Sequence, residues 1–409
     1  MPEIAFGRLP FKEQIAYFRR KGNLLTDDWT QLWGAAHDHA FVVAGANRAD
    51  LLADLRAAVD RAIAEGATLA QFRKDFDAIV AKYGWQYQGG RNWRSRVIYE
   101  TNLRSSYAAG RYAQLQRLKR VRPYWMYVHS DAVMHPRPQH LAWNGLVLHA
   151  DDPWWHAHFP PGGWGCQCTV HALDDEGLRR LGKNGPDTAP PVAMRTVTVG
   201  TQGAHPRTVE VPEGIDPGFG HTPGATAPWG SMGEQAEQVL ANGEDYAAGK
   251  WQRLGGETWQ EMGRPEQVPF EPAPVHLGPR LSTPEAVQTS LEAMLGAPLK
   301  VFDVHGLPVA IDADALARHL QPDRSPYLPL LLDLMRDPWE VWLTLERAPG
   351  GHYELRARLI KGYDIGGGHA LLLVAQQQGG YLESWTMMPT SDRKYLDRQR
   401  QGLLWWGAP

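Results

Sequence analysis

The chain has few of the features that mark secreted or membrane proteins. It contains only two cysteines among 409 residues, which excludes a disulfide scaffold and favours a reducing compartment. No apolar run approaches the roughly eighteen residues that a membrane-spanning helix needs. The first residues, MPEIAFGRLPFKEQ, lack the charged and then apolar pattern of a signal peptide. We therefore expect a soluble protein that is made in the cytoplasm and has no membrane partner.

The chain also lacks an excess of charge of either sign. Its net charge is −3, so bulk electrostatics do not predict nucleic-acid binding, and only a local patch could support it. The hydrophobic content of 43% is that of an ordinary globular protein. A length of 409 residues predicts two or three domains rather than one core.

The first hundred residues carry helical patterns. Asp50 precedes an apolar stripe that predicts a helix ending near Gly66. Thr68 and Gln71 form a capping-box pattern for the next helix, which is expected to end at Gly84. A further helix is predicted over residues 28–43, through Trp29, Trp33 and Phe41.

Residues 91–122 are the most basic part of the chain. They contain nine arginines or lysines and one acid, Glu100, and the pattern from Arg94 to Leu118 is helical. A solvated helix face is one explanation. The other is a contact with nucleic acid or with an acidic protein surface. For that contact we select Arg94, Arg104, Arg111, Arg117, Lys119 and Arg120.

Residues 129–173 concentrate possible metal ligands among turn-forming residues. This segment holds seven of the sixteen histidines and both cysteines, Cys166 and Cys168. Thiolates and imidazoles suit zinc, so the two cysteines with two histidines could hold one structural ion. The histidines considered are His135, His140, His149, His156, His158 and His171, and His140 is the one selected. Alternatively, the cysteines pack a tight turn, and the histidines donate hydrogen bonds to the backbone.

The composition changes twice after Leu181. Residues 182–276 contain fifteen glycines and twelve prolines, which predicts a linker with islands of structure, including a hairpin of residues 196–199 and 208–211. Beyond residue 277, helical patterns precede four alternating segments at 340–347, 352–363, 369–376 and 381–389. The sequence therefore predicts an α+β multidomain protein. It has a mainly helical domain with a loop-rich Cys/His segment (1–181), a Pro/Gly-rich linker (182–276) and a C-terminal α+β domain with a four-stranded antiparallel sheet (277–409).

A set of short motifs, in order along the first half of the chain, resembles the Mu F-like phage head morphogenesis family. The motifs are His39-Ala40-Phe41, Gly84-Trp85, Glu100-Thr101-Asn102, His140 to Gly145, Asp151-Asp152-Pro153-Trp154, Pro160-Pro161 and Gly165-Cys166-Gln167-Cys168. The family usually has Arg between the two cysteines, where this chain has Gln167. The resemblance spans roughly residues 5–175.

This resemblance implies a role in the virion. It indicates a minor capsid protein of few copies, in the head interior or near the portal, that is needed to assemble heads for DNA packaging or ejection. Portal and major capsid proteins are the implied partners, and packaged DNA becomes a candidate partner of the basic helix. Synthesis in the host cytoplasm is implied as well.

The last domain resembles the phage barnase/EndoU/colicin/RelE-like nucleases. The pieces that carry the resemblance are Asp323-Arg324, Asp337-Pro338, Arg358 to Lys361, Thr386 and Tyr395 to Leu404. Such a domain implies a metal-independent ribonuclease, with RNA as partner. Its reaction needs cations at the phosphate and a proton donor or acceptor. The candidate catalytic residues are Lys361, Arg358, Thr386, Arg398 and His319.

The sequence therefore supports two alternative functions. The first is a head morphogenesis protein with a nuclease-like appendage, and the alternative is a phage-derived toxin whose ribonuclease domain is delivered to host or competitor cells. Arg400 and His305 are further charged or titratable residues considered for the last domain. A zinc hydrolase built on the two cysteines is disfavoured, because no HExxH-like pattern accompanies them.

Overall fold

The structure is a computed structural model, and it describes residues 11–133, 135–203, 206–227, 232–242, 250–366, 369–378 and 381–408. Residues 1–10, on which the expectation about a signal peptide depends, lie outside that set. The chain divides into two compact units, residues 1–234 and 235–409. The α+β multidomain prediction is confirmed. The region predicted as a linker supplies elements to both units.

Four helices form the first part of the N-terminal unit: α1 (Lys12–Arg19), α2 (Ala49–Ala64), α3 (Leu69–Tyr83) and α4 (Arg91–Leu118). The Thr68 hydroxyl accepts from the Gln71 amide, and Gly84 ends α3 at a φ of 60°, as the sequence predicts. Phe18, Phe41, Leu52 and Phe72 are among the residues of their shared core. At 28 residues, α4 extends for roughly 42 Å.

Residues 28–43 do not form the single helix that was predicted. They form short 3₁₀ turns at Trp29–Gln31 and Gly34–Asp38, and then β2 (Ala40–Phe41), which pairs in parallel with β1 (Gly22–Asn23). Gly34 has a φ of 52°, a left-handed conformation that a continuous α-helix does not allow. Trp33 and Phe41 are buried, whereas Trp29 is exposed.

The second part of the N-terminal unit is a three-stranded sheet with short helices around it. The sheet has the order β4-β3-β5, with β3 (Tyr124–Val128), β4 (Val147–His149) and β5 (Thr169–Leu173), all antiparallel. The helices are α5 (Pro138–Ala142), α6 (Trp155–His158) and α7 (Asp175–Arg180). Trp125, Tyr127, Trp154 and Phe159 fill its core. The predicted hairpin is present as β6 (Met194–Val199) and β7 (Arg207–Pro212).

Residues 213–227 fold back onto the N-terminal unit. The buried Asp38 carboxylate accepts from the Gly224 and Thr226 amides at 2.8 and 3.1 Å, and from the Tyr17 hydroxyl at 2.7 Å. The Thr222 hydroxyl donates to the Trp155 carbonyl. Helix α8 (Gly233–Ala241) contains the point where the chain divides into its two units.

The C-terminal unit is built on one large sheet. Its path is β11-β12-β16-β15-β14-β13-β17-β9. The predicted meander is present as β13 (Glu340–Arg347), β14 (Tyr353–Asp364), β15 (His369–Gln378) and β16 (Tyr381–Thr390). The remaining strands are β8 (Gln252–Arg253), β9 (Glu257–Thr258), β10 (Phe270–Pro272), β11 (Leu299–Val304), β12 (Leu307–Asp312) and β17 (Gln401–Gly407).

Helices pack on both faces of the meander. They are α9 (Pro284–Leu295), α10 (Ala313–His319), α11 (Leu331–Arg336) and α12 (Arg393–Gln399), with a 3₁₀ segment at Pro322–Leu330. Helix α12 packs against Ile360 and α11 against Tyr363. Leu396 of α12 packs with Trp342, Ile360 and Leu372 on one face. Strands β8, β9 and β10 come from the region predicted as a linker and pair with β13, β17 and β14.

Candidate metal and nucleic-acid sites

Both cysteines and one histidine meet at the end of the three-stranded sheet. The Nδ1 atom of His140 lies 3.7 Å from Cys166 Sγ and 3.6 Å from Cys168 Sγ. The three potential ligand atoms all lie within 4.8 Å of one another, so the group can hold a metal ion. His140 and Cys166 are buried. The three residues selected from the sequence are therefore brought together.

Contacts behind these side chains fix their orientation. The Nε2 atom of His140 lies 2.9 Å from the Gly214 carbonyl, to which it donates, and this leaves Nδ1 as an acceptor or ligand facing the thiols. Arg137 donates to the Trp164 carbonyl and pairs with Asp216, whose carboxylate also accepts from the Trp164 amide. The loop that carries the cysteines is thus tied to residues 214–216.

The two thiols share one proton. A hydrogen bond between them raises the pKa of Cys166 to about 12 and lowers the pKa of Cys168 to about 6, while burial favours the neutral form of both. Cys168 is therefore the thiol that loses its proton more readily. A soft anionic sulfur beside a neutral imidazole is a donor set that suits zinc.

The other five histidines considered from the sequence serve elsewhere. His158 donates to the Trp154 carbonyl and stacks on that indole at 4.2 Å, and burial lowers its pKa to about 4. His149 lies 3.7 Å from the Asp151 carboxylate. His135 and His171 are exposed, and His156 lies on α6.

A cavity of about 590 Å³ lies beside the cysteines. Tyr107 and Arg111 of α4 line one side, and Phe159 and the Cys166–Val170 segment line another. Arg104 borders it and donates to the Cys166 carbonyl at 3.3 Å. The basic helix and the cysteine loop therefore share a surface.

Most of the cations selected on the basic helix have acidic or carbonyl partners. Arg104 pairs with Glu100, Arg117 with Glu13, and Lys119 with Asp151. Arg94 donates to the Ala44 carbonyl at 2.5 Å, and Arg111 donates to Gln114 at 2.7 Å. Arg120 is exposed and forms no ion pair with any residue that the structure describes. Contact with DNA or with a portal stays a prediction for these six.

In the C-terminal unit, Arg358 belongs to a buried cluster on β13 and β14. It donates to Glu346 at 2.5 Å, to the Thr344 hydroxyl at 2.6 Å and to Gln399 at 3.0 Å. Arg356 and Arg253 also pair with Glu346. Burial alone would raise the pKa of Glu346, but the three arginines hold that pKa well below its usual range. Arg358 is only 5% exposed, so its guanidinium is largely withdrawn from solvent.

Lys361 lies on the opposite pleat face, as strand parity predicts. It pairs with Asp337 at 2.7 Å and with Asp333 at 3.1 Å. Burial alone would lower the pKa of Lys361, but its hydrogen bonds to Asp337 and Asp333 raise that pKa. Arg358 and Lys361 therefore do not converge on one phosphate.

A more open group lies where β16 meets α12. Thr386 accepts from Arg324 at 3.3 Å, and the Arg398 guanidinium is 5.9 Å from the Tyr395 ring. Burial raises the pKa of Tyr395, and the positive charges of Arg358, Arg324 and Arg398 oppose that rise. Val374 of β15 pairs with Arg358 of β14 on one side and with Thr386 of β16 on the other. Tyr395 and Arg324 thus join Thr386 and Arg398, although neither was selected as catalytic from the sequence.

The two histidines considered as acid-base groups make other contacts. His319 donates to the Ala315 carbonyl and covers Trp385 at 3.6 Å, and His305 stacks on Trp406 at 3.7 Å. Glu383 of β16 is a group that the sequence did not reveal. Burial, and next the charge of Asp312, raises its pKa to about 7.

Arg400 is not available to a phosphate. It is fully buried and makes a two-point ion pair with Glu340, at 2.8 and 2.9 Å. The rings of Trp259 and Trp339 lie 4.9 and 5.1 Å from its guanidinium. The suggestion that Arg400 supplies charge to a cleft is therefore corrected, because its charge is already neutralised in the core.

Comparison with known proteins agrees with both halves of this description. Residues 53–171 match the family model of "Phage Mu protein F like protein", and these residues include α4, β3, β4, the cysteine loop and the first part of β5. The chain carries a Mu F-like domain. Residues 286–407 match the family model "phage-Barnase-EndoU-ColicinE5/D-RelE like nuclease2". The C-terminal unit is thus nuclease-like.

Two curated relatives are similar to part of the chain. A protein of Escherichia phage Mu named for capsid assembly, protein F, is 39% identical over 191 residues, 43% of each chain. The Mu-like prophage FluMu F protein of Haemophilus influenzae is 34% identical over 168 residues, 39% of this chain and 40% of that one. The chain therefore matches less than half the length of either relative.

Two further findings complete the comparison. No solved structure matches the chain significantly. Among the described residues, no helix combines the length and the apolar character that crossing a bilayer requires.

Proposed function

We propose that the chain is a minor phage head protein that acts near the portal during assembly of DNA-containing heads. The observation that carries this proposal is the Mu F-like domain, whose similarity extends to a phage Mu protein named for capsid assembly. Portal and major capsid proteins are then its partners, and the head interior or portal vicinity is its location in the virion.

The test uses the phage whose genome encodes the chain. Particles made with and without an intact copy are purified on gradients, and the chain, the portal protein and the DNA are quantified in each fraction. We expect the chain in wild-type heads at few copies, and we expect heads without it to be deficient in DNA. Normal DNA-filled particles that form without the chain contradict the proposal.

DNA contact through the end of the basic helix is the second part of this proposal. Arg120 supports it, since its side chain is exposed and has no ion pair among the described residues. Each phosphate that a protein neutralises contributes about 0.9 to the slope of log affinity against log salt. Arg120→Ala in the full chain should lower that slope by about 0.9 on duplex DNA. The control is Arg180→Ala, an exposed cation on α7. An equal slope in both variants contradicts the contact.

We also propose that the C-terminal unit is a metal-independent ribonuclease with a phosphate site at Arg324, Thr386, Tyr395 and Arg398. The 2′-hydroxyl gives its proton to solvent water as its oxygen bonds to phosphorus, the bond from phosphorus to the 5′-oxygen breaks, and the 5′-oxygen takes up a proton, which leaves a 2′,3′-cyclic phosphate and a 5′-hydroxyl. Arg324 and Arg398 would stabilise the negative charge of the transition state, and Thr386 would orient a phosphate oxygen. The pKa of Tyr395 is raised, so its phenol is protonated at neutral pH and suits proton donation.

Cleavage of a labelled RNA by the full chain, with a chelator present, tests this second activity. Tyr395→Phe and Arg398→Ala should each lower the rate at least about a hundredfold, the usual contribution of one acid-base or charge-stabilising group. Lys394→Ala, another exposed cation on α12, is the matched control. No cleavage by the wild type, or equal rates in all variants, contradicts the assignment. Growth arrest of cells that express the chain would instead favour the toxin alternative.

We further propose that His140, Cys166 and Cys168 hold one structural zinc ion. Their three ligand atoms lie within 4.8 Å of one another, and the side chains of His140 and Cys166 are buried. The Gly214 carbonyl orients the imidazole of His140. Elemental analysis of the full chain, purified without chelator, should give about one zinc per chain. A metal-free protein of equal stability leaves only the packing explanation for the two cysteines.

A further inference from the structure

A fourth potential ligand lies at the same end of the sheet, on a residue outside the six histidines considered from the sequence. The Nδ1 atom of His129 is 3.5 Å from Cys168 Sγ. Strands β3 and β5 pair with Val128 opposite Thr169. If that antiparallel register continues by one residue, His129 stands opposite Cys168. The 3.5 Å separation of His129 Nδ1 from Cys168 Sγ is compatible with such a continuation.

The backbone on both sides of His129 is also fixed. Its amide donates to the Asn144 side chain at 2.9 Å, and the next amide, that of Ser130, hydrogen-bonds to Cys168. The Gly145 amide donates to the Tyr127 carbonyl at 2.9 Å, which closes the turn that precedes β4. His129 thus stands on the sheet framework rather than on an independent loop.

The distances agree with tetrahedral zinc geometry. With Zn–S near 2.3 Å and Zn–N near 2.0–2.1 Å, a tetrahedral site separates a sulfur from a nitrogen ligand by about 3.5–3.6 Å. Three of the four sulfur–nitrogen separations are 3.5 Å (His129–Cys168), 3.6 Å (His140–Cys168) and 3.7 Å (His140–Cys166). Three of the six edges of such a tetrahedron therefore already have the expected length. Binding of the ion would draw His129 closer to the group of His140, Cys166 and Cys168, whose ligand atoms lie within 4.8 Å of one another without it.

We propose that His129 is the fourth protein ligand, so that His129, His140, Cys166 and Cys168 form a closed Cys₂His₂ zinc centre. This inference rests on the proposed zinc site. It goes further because four protein ligands leave no open position for a water molecule or substrate, which makes the centre structural rather than catalytic. The ion would join the end of β3, helix α5 and the start of β5, three segments that are separated along the chain.

Zinc and cobalt binding to the full chain tests the fourth ligand. Zinc affinity is measured by competition with a chromophoric chelator, and Co²⁺ reports ligand number and type through its visible and sulfur charge-transfer bands. His129→Asn should weaken zinc at least about tenfold and reduce the tetrahedral Co²⁺ absorption. His171→Asn is the matched control, because His171 is an exposed histidine on β5.

A second variant guards against misfolding of the first. His129→Cys should retain tight zinc binding, and its Co²⁺ complex should gain sulfur charge-transfer intensity from a third thiolate. A side chain that only packs against Cys168 would produce no such gain. Zinc affinity in His129→Asn equal to that in His171→Asn, or no added sulfur band in His129→Cys, overturns the fourth ligand and leaves the three-residue site standing. A wild-type chain that binds no zinc overturns both.

Discussion

Replacing Arg400 with alanine should destabilise the C-terminal unit more than any surface change on the same helix and strand. The guanidinium is 0% exposed, and it pairs at two points with Glu340, which is equally buried. It also donates to the Pro265 carbonyl at 2.7 Å. Its removal would leave the Glu340 carboxylate with only Arg264 and the Trp342 indole as partners.

Because Arg264 still pairs with Glu340, we expect Arg400→Ala to cost toward the lower end of the about 3–5 kcal/mol that breaking a buried ion pair costs. For a unit of this size that range corresponds to a fall in melting temperature of about 6–20 °C. Arg400→Lys keeps the charge but loses the two-point geometry, and we expect an intermediate effect.

The measurement is thermal unfolding of the full chain, together with hydrogen exchange of β13 and β17 to assign the loss to this unit. Arg398→Ala serves as the control, because Arg398 is an exposed cation two residues earlier in the chain. A fall in melting temperature in Arg400→Ala no larger than that in Arg398→Ala would refute the expectation that breaking this buried ion pair destabilises the unit.

Three further predictions concern other buried positions. Gly110→Ala should lower the free energy of unfolding of the N-terminal unit by about 1–3 kcal/mol, despite alanine's helix propensity. The new Cβ would lie 2.8 Å from the Phe11 ring and 2.9 Å from the Gln14 amide nitrogen. Urea unfolding measures this loss. Asp38→Ala should cost at least about 3 kcal/mol and speed hydrogen exchange at residues 222–227, since the carboxylate accepts from Tyr17, Gly224 and Thr226; unchanged exchange there would contradict it. The pKa of Glu383 is raised from 4.5 to about 7, so the stability that its neutral form provides is complete below pH 4.5 and is lost as pH rises through 7. Glu383→Gln should remove a pH-dependent difference on the order of 3 kcal/mol between pH 4.5 and 8, and equal urea midpoint shifts in both proteins over that range would oppose it.

Local chemistry made several elements predictable from the sequence. The hydroxyl of Thr68 and the side chain of Gln71 satisfy amides at the start of α3, and Thr283 caps α9 with Pro284 at its first position. Both are patterns within four residues. The meander was predictable because alternation and turn residues define each strand before its partner is known.

Features that depend on distant partners were missed. Strand β17 follows α12 closely, and it is a strand because β13, some sixty residues earlier, offers an edge in register. His129 could have been selected only if the pairing of β3 with β5 were known. The glycines and prolines of 182–276 indicated a linker, whereas Asp38 holds residues 224–226 through contacts almost 190 residues apart in sequence.

The three short strands before residue 277 determine how the nuclease-like unit can be isolated. β8, β9 and β10 cover positions along β13, β17 and β14, and Arg264, Pro265 and Trp259 complete the surroundings of Arg400. A fragment beginning at Leu277 would lack all of these. Its sheet would expose unpaired backbone and a half-open ion pair, which favours aggregation. Failure of such a fragment to cleave RNA would therefore report misfolding, and a fragment for that purpose should begin near Lys250.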